Sequence, residues 1–304
     1  MICWEPARCA ERGAVPRHTL AQAAGGWPVL AARLQAASVL AAPATIAALA
    51  WQKRALTFDG ALAATAIGAA VLRRGGLPAA GALVTFFVTS SALSRLGEVR
   101  KARQGALAQA KGSRRDAWQV LANGAAAAAC AGLPGRAGSS AFLGALATAA
   151  ADTWATEIGL LATGRPRLIT TLRPVAPGTS GGVTLQGTLA GLAGAFVVGA
   201  TWAAIHKSWP RRQKQQSRAL RHALLVSSAA GVLGSLVDSL LGATLQATYW
   251  CPACAEPTEA PRHPACGRPT MHLRGWRWMT NDTVNALATL SGALLGAALG
   301  RAGG

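Results

Sequence analysis

Charge is scarce in this sequence: Asp, Glu, Lys and Arg make up 13% of its 304 residues, where a soluble domain of ordinary composition has about 25%. Hydrophobic residues make up 51%, so the shortage argues against a water-soluble globular protein. Acids are scarcer than bases, 11 against 30, which makes each acid inside an apolar run informative. No G-x-x-x-x-G-K-[ST], no G-x-G-x-x-G after a strand, no H-E-x-x-H and no G-x-S-x-G occurs in a context that would give it meaning. The common phosphate-loop, dinucleotide, zinc-peptidase and serine-hydrolase frameworks are thereby excluded. Residues 1–27 lack the apolar core of a secretory signal. Arg8, Arg12 and Arg17 suit an organelle-targeting peptide, whereas Glu5 and Glu11 count against one. These 27 residues are read as an N-terminal tail with a candidate targeting role.

What the sequence has is apolar length. Eight blocks, approximately 28–51, 55–72, 77–94, 117–133, 139–163, 183–205, 223–247 and 281–300, are near the about 20 residues needed to cross a bilayer, with Arg-rich or Gly/Pro-rich joints between them. They predict an all-α fold, a polytopic bundle of about 6–8 membrane helices, over a single domain spanning 28–304 with a Cys/His-containing loop at 248–280. Trp27, Trp51, Trp118, Trp202, Trp209 and Trp250 fall at block ends, where an amphipathic ring prefers the membrane interface. A net charge of +19 raises the question of nucleic acid. The basic residues, however, lie in connecting segments rather than on one face with interleaved aromatics, so the expected contact is membrane lipid. They divide almost evenly between the two sides of an eight-block topology and assign no orientation.

Four polar constellations interrupt the apolar pattern. The first is "ADTWATEIG", residues 151–159, where Asp152 and Glu157 each cost about 2.5–3.5 kcal/mol inside a bilayer. At 100° per residue they stand about 140° apart around a helix, so they suit one charged ligand approached from two angles better than a paired acid and base. The second is "PGTSGG", residues 177–182, just ahead of an apolar block. Its glycines and hydroxyls, Gly178, Thr179, Ser180 and Gly181, suit either a phosphate cradle, with Arg173 upstream, or a plain turn with a Ser/Thr helix cap. In the third, "GSLVDSLLG", Asp238 lies mid-block and requires a partner, a proton or a metal ion. The fourth, "TNDTVN", brings Asn281 and Asn285 onto one helix face, with Thr280 or Asn281 as the cap.

Two further groups stand outside the blocks. Seven Lys or Arg lie between Arg95 and Arg115; the segment reads as a solvated loop or, through Lys101, Lys111, Arg114 or Arg115, as a source of phosphate-neutralising charge. The joint at 206–222 reads as a simple polar loop. Cys251-x2-Cys254 followed by His263-x2-Cys266 supplies four ligands of the types zinc takes; the competing readings are a disulfide, or neither zinc nor a disulfide.

The ordered stretches "LSRLGEVRKARQGALAQAKGSRRDAWQVLANG", "ADTWATEIG", "PVAPGTSGGVTLQGT", "GSLVDSLLGATLQ" and "TNDTVN" resemble the TMEM19 family, also described as the domain-of-unknown-function-92 membrane proteins, which includes plant phytyl-phosphate kinase. The resemblance spans roughly residues 45–300. It implies a membrane-embedded kinase that moves a phosphoryl group from a nucleoside triphosphate to an isoprenoid monophosphate such as phytyl phosphate, feeding tocopherol and phylloquinone synthesis and phytol salvage. It implies a multi-pass protein of a plastid or other organelle membrane. The family's motif positions fall here on Asn123, Asp152, Glu157, Gly178, Thr179, Ser180, Asp238, Asn281 and Asn285. Thr156 stands where Ser is usual, and the Cys-rich loop occurs only in some members. Phosphoryl transfer needs charge neutralisation and alignment, so Asp152, Glu157 and Asp238 are expected to gather Mg²⁺. The alternative from another class is a transporter of an anionic lipid or ion that uses the intramembrane carboxylates.

Overall fold

The computed structural model describes residues 39–97, 114–207 and 213–302; Lys111, Cys3, Cys9, Trp27 and Trp209 lie outside them. The chain divides into two compact units, Met1–Ala42 and Pro43–Gly304, and the architecture that follows belongs to the second. Its helices are α1 (Val39–Gln52, which begins in the first unit), α2 (Phe58–Arg95), α3 (Ala117–Cys130), α4 (Gly135–Gly159), α5 (Leu185–Lys207), α6 (Gln213–Thr244) and α7 (Asn281–Ala302). Four of them, α2, α5, α6 and α7, are long and apolar enough to cross a membrane.

α2 has 38 residues, a length of about 57 Å if straight and far more than the about 30 Å of a hydrocarbon core. It is not straight. Gly76 takes φ 67° and ψ −166°, a conformation open to glycine, and Pro78 follows. The two arms fold back on each other. Arg115 touches both, its carbonyl lying where a Cβ on Gly60 would stand and its guanidinium over the rings of Phe86 and Phe87. The blocks at 55–72 and 77–94 are these two arms.

α4 occupies the centre. Nearly every residue from Gly138 to Ala151 is buried, because this helix is built from Ala, Gly and Ser, whose small side chains let neighbouring backbones come close. Gly144 meets the Gly292 carbonyl of α7, Gly231 of α6 meets the Ala147 carbonyl, and Gly191 of α5 meets the Ala151 carbonyl. Buried hydroxyls fasten the same contacts. Thr148 Oγ1 donates to the Ala230 carbonyl of α6 at 3.1 Å, and Thr289 Oγ1 of α7 to the Ala122 carbonyl of α3 at 3.0 Å. On the outside the apolar residues stay exposed, among them Leu62, Leu77, Leu189, Leu225 and Leu294, as a lipid-facing surface requires.

Two expectations are corrected. The joint at 206–222 is not a simple loop, since α6 already begins at Gln213. Gln, Lys, Arg and Ala are good helix formers, so the helix runs beyond the apolar part of its sequence. The protein is mostly helical rather than all-α. A hairpin pairs β1 (Arg167–Leu168) with β2 (Gly182–Val183). The Cys/His loop folds into a three-stranded antiparallel sheet in the order β4 (Glu256–Thr258), β3 (Thr248–Cys251), β5 (Met271–Arg274). These strands are two to four residues long, too short to leave an alternating pattern in the sequence.

Candidate functional site

The packing of α4 against α6 sets the position of the acids. Gly234 of α6 lies directly against the Thr148 side chain of α4. One helical turn further along each helix come Asp238 and Asp152, and their carboxyl groups lie against each other. Two carboxyls in contact hold either a proton or a cation between them. Oδ1 of Asp238 is buried with no hydrogen-bond partner among the described residues. Both acids open onto a cavity of about 610 Å³.

Glu157 lines the same cavity from a different angle on α4, as the separation of about 140° requires. Its Oε1 accepts a 2.5 Å hydrogen bond from Ser94 Oγ at the end of α2. Its charge also acts on Arg115, whose guanidinium is pulled down by burial and pushed back up by Glu157. Arg115 is fixed from several sides. Its N–H donates to the Ala55 carbonyl at 3.0 Å, its carbonyl accepts from Thr57 N–H at 3.0 Å, and Asp116 beside it closes a capping box with Gln119 at the start of α3. Asn123, one turn further along α3, also lines the cavity and donates to the Gln119 carbonyl at 2.9 Å.

The glycine turn forms another wall. Gly178 and Gly181 take φ 79° and 80°, and the Gly182 N–H closes the turn on the Thr179 carbonyl at 2.9 Å. Gly181 packs against the Ser239 carbonyl and Ala243 of α6, which leaves no room for a side chain. The turn does not run straight into α5: β2 intervenes, and Thr184 caps the helix by accepting the Gly187 N–H at 2.9 Å. Thr280 plays the same part for α7, accepting the Thr283 N–H at 3.3 Å, so that Asn281 and Asn285 are left to line the cavity.

Asn123, Arg115, Asp152, Glu157, Gly178, Thr179, Ser180, Gly181, Asp238, Asn281 and Asn285 thus line one cavity. Arg173 does not; its side chain is exposed and its backbone belongs to the β1 turn, where the Arg173 carbonyl accepts from Leu168 N–H at 3.0 Å. A fourth carboxylate, unmarked in the sequence, joins them. Glu259, from the loop after β4, accepts from Ser180 Oγ at 2.7 Å and from Gln246 Nε2 at 2.7 Å. Gln246 is 2% exposed, so removing the carboxylate orphans a buried amide as well as a hydroxyl. Glu259→Ala is expected to lower stability by about 1–3 kcal/mol, read as the shift in thermal unfolding of the protein in detergent. An unchanged melting temperature would mean that the Glu259 contacts are dispensable.

Beside the site, Cys251, Cys254, His263 and Cys266 bring their ligand atoms within 4.8 Å of one another. The Arg268 N–H and the facing His263 draw the Cys266 thiol down to about 6, while contact with Cys266, burial and Cys251 push Cys254 up to about 12.

Helices with exposed apolar faces around a buried, acid-lined cavity define an integral membrane protein with an internal polar site. The chain belongs to the family described as Integral membrane protein DUF92, whose model matches residues 41–293. Among its relatives, Protein PGR of Arabidopsis thaliana is 37% identical over 56% of this chain and 65% of its own length, so the matched stretch spans just under two thirds of that relative. An uncharacterized membrane protein of Methanocaldococcus jannaschii is 31% identical over 64% of this chain and 76% of its own. Protein VTE6, chloroplastic, of Arabidopsis thaliana is 25% identical over 79% of this chain and 64% of its own. No solved structure matches.

Proposed function

We propose that the chain is a membrane-embedded kinase that transfers the terminal phosphoryl group of a nucleoside triphosphate to an isoprenoid monophosphate of the phytyl phosphate type. In the transfer, an oxygen of the acceptor monophosphate forms a bond to the terminal phosphorus of the donor as the bond from that phosphorus to the bridging oxygen breaks. The products are an isoprenoid diphosphate and a nucleoside diphosphate. The observation that carries the reading is the charge of the cavity. Among the described residues its lining has four carboxylates, Asp152, Glu157, Asp238 and Glu259, and one guanidinium, Arg115. Such a lining attracts polyphosphate only together with cations, which is the condition under which phosphoryl-transfer sites operate.

Asp152 and Asp238 are the residues suited to hold Mg²⁺: they are all-oxygen donors, their carboxyls touch, and Oδ1 of Asp238 is buried without a partner among the described residues. When bound, the metal neutralises phosphate charge and aligns the oxygens that exchange. Arg115, steadied by Glu157 and by the rings of Phe86 and Phe87, offers a fixed cation to the phosphates. The glycine turn presents backbone at close range, and Asn281, Asn285 and Asn123 supply amide donors.

The isoprenoid tail has a route out of the cavity. An apolar groove between α5 and α6, of about 400 Å³, is lined by Leu189, Leu192, Leu225 and Leu233 and shares Thr188 and Val232 with the polar cavity. With α1, both arms of α2, α3 and α4 added to the other apolar helices, the bundle reaches the proposed 6–8 membrane helices. The resemblance to a family that includes plant phytyl-phosphate kinase supports the substrate class, and the chloroplastic relative supports an organelle membrane. The test is to incubate purified protein in detergent with phytyl phosphate, Mg²⁺ and ATP or CTP. Phytyl diphosphate is expected. No diphosphate from phytyl phosphate or from shorter and longer polyprenyl phosphates, with either nucleotide, would replace the kinase with a transporter.

A further inference from the structure

The Cys/His lobe contains two turns of one design. Cys251-Pro-Ala-Cys254 is followed by Ala255 at φ 54°, and His263-Pro-Ala-Cys266 by Gly267 at φ 67°. In each, two ligand-type residues flank Pro-Ala, and the next residue takes a left-handed conformation that is costly for Ala and free for Gly. The first turn joins β3 to β4, with Cys251 opposite Glu256 in the ladder. The second is closed by hydrogen bonds from Gly267 N–H to the His263 carbonyl at 2.8 Å and from His263 N–H to the Arg268 carbonyl at 2.9 Å. Both turns point inward. Cys251 Sγ and Cys266 Sγ are 3.6 Å apart, and His263 Nδ1 is 3.3 Å from Cys266 Sγ.

We infer that these four residues form a structural zinc site, Cys251, Cys254 and Cys266 through sulfur and His263 through Nδ1, and that the zinc holds Glu259 in place. Three sulfurs and one imidazole within 4.8 Å of one another fit a tetrahedral thiolate-rich centre, and such ligands select zinc over magnesium or calcium. The surroundings point the same way. Nε2 of His263, a residue 1% exposed, has no hydrogen-bond partner among the described residues and faces Glu256 Oε2 at 3.9 Å. With the metal on Nδ1, the Nε2 proton turns to that carboxylate, the usual outer partner of a metal-bound histidine. A disulfide would join two of the four and leave a thiol and a buried imidazole with nothing to bind.

The consequence for the cavity follows from chain order. Glu259 lies between the two turns, after Cys254 and before His263, so closing the turns on one ion fixes both ends of the segment that carries it. This part rests on the proposed use of the cavity; the zinc site itself does not.

The experiment measures metal on the full chain in detergent, purified without chelator or added metal, by plasma mass spectrometry. One zinc per chain is expected, with release on treatment with an organomercurial that caps thiols. Exchange with Co²⁺ should produce thiolate-to-cobalt charge-transfer absorption. Cys254→Ser and His263→Ala should retain less than about a tenth of the metal, and His263→Cys should restore it. A wild-type protein with well under one metal per chain, or with Cys251 and Cys266 recovered as a disulfide, overturns the inference even where the variants do not fold. Zinc present without kinase turnover leaves this site standing and removes the kinase. Turnover in protein shown to lack zinc does the opposite.

Discussion

Asp238→Asn and Asp152→Asn should each reduce phosphoryl transfer at least about 100-fold, since even an outer partner of a metal ligand is worth about 10–100-fold. Asparagine keeps the size and the hydrogen-bonding capacity but not the charge. The fold should survive, because the contact between the two carboxyls is an electrostatic conflict that the substitution relieves. The expected pattern is therefore opposite in two measurements: turnover collapses while the melting temperature in detergent holds or rises. Mg²⁺ is expected to raise the melting temperature of the wild type and to leave that of either variant unchanged. If both variants turned over at the wild-type rate, the Asp152 and Asp238 pair would have no part in the chemistry.

The second large effect is structural. Gly144→Val should destabilise the bundle by about 3 kcal/mol, at the upper end of what overpacking costs, because its Cβ would collide with the Gly292 carbonyl and crowd the Gly296 backbone. Neither obstacle is a flexible side chain that could swing away. α4 and α7 would have to part, and with them the wall that holds Asn285. The check is thermal unfolding beside Leu294→Val, which alters an exposed apolar position on the same α7 and should change the melting temperature little. Equal melting temperatures for Gly144→Val and the wild type would mean that α4 and α7 are not packed backbone to backbone.

Asp152 and Asp238 were legible because lipid penalises acids inside apolar blocks; any position for either that did not face a polar interior would be expensive. The residues that complete the site carry no such signal. Glu259 lies in a polar loop where a glutamate is ordinary, and only the fold of that loop over Ser180 and Gln246 brings it to the cavity. Ser94 and Gln119 sit at helix ends beside the basic segment, and their composition suggests nothing beyond solvation. The capping alternative for the glycine turn fails for a related reason. Thr179 and Ser180 look like capping residues, but β2 inserts a short strand before α5, and Thr184 takes the role. Short strands leave too few residues for an alternating pattern, and so the sheet of the Cys/His lobe escaped notice while the long helices did not.

The groove between α5 and α6 opens on the flank of the bundle and joins the polar cavity through Thr188 and Val232. A hydrophobic chain seated there would never have to be pulled wholly out of its surroundings. Its head would turn inward to react while its tail stayed among neighbouring lipid chains, and the more polar product would leave by the same sideways path. Encounter then depends on crowding within a sheet two molecules thick, so the rate of such a protein should follow the mole fraction of its substrate in the bilayer rather than its concentration in the bulk solution.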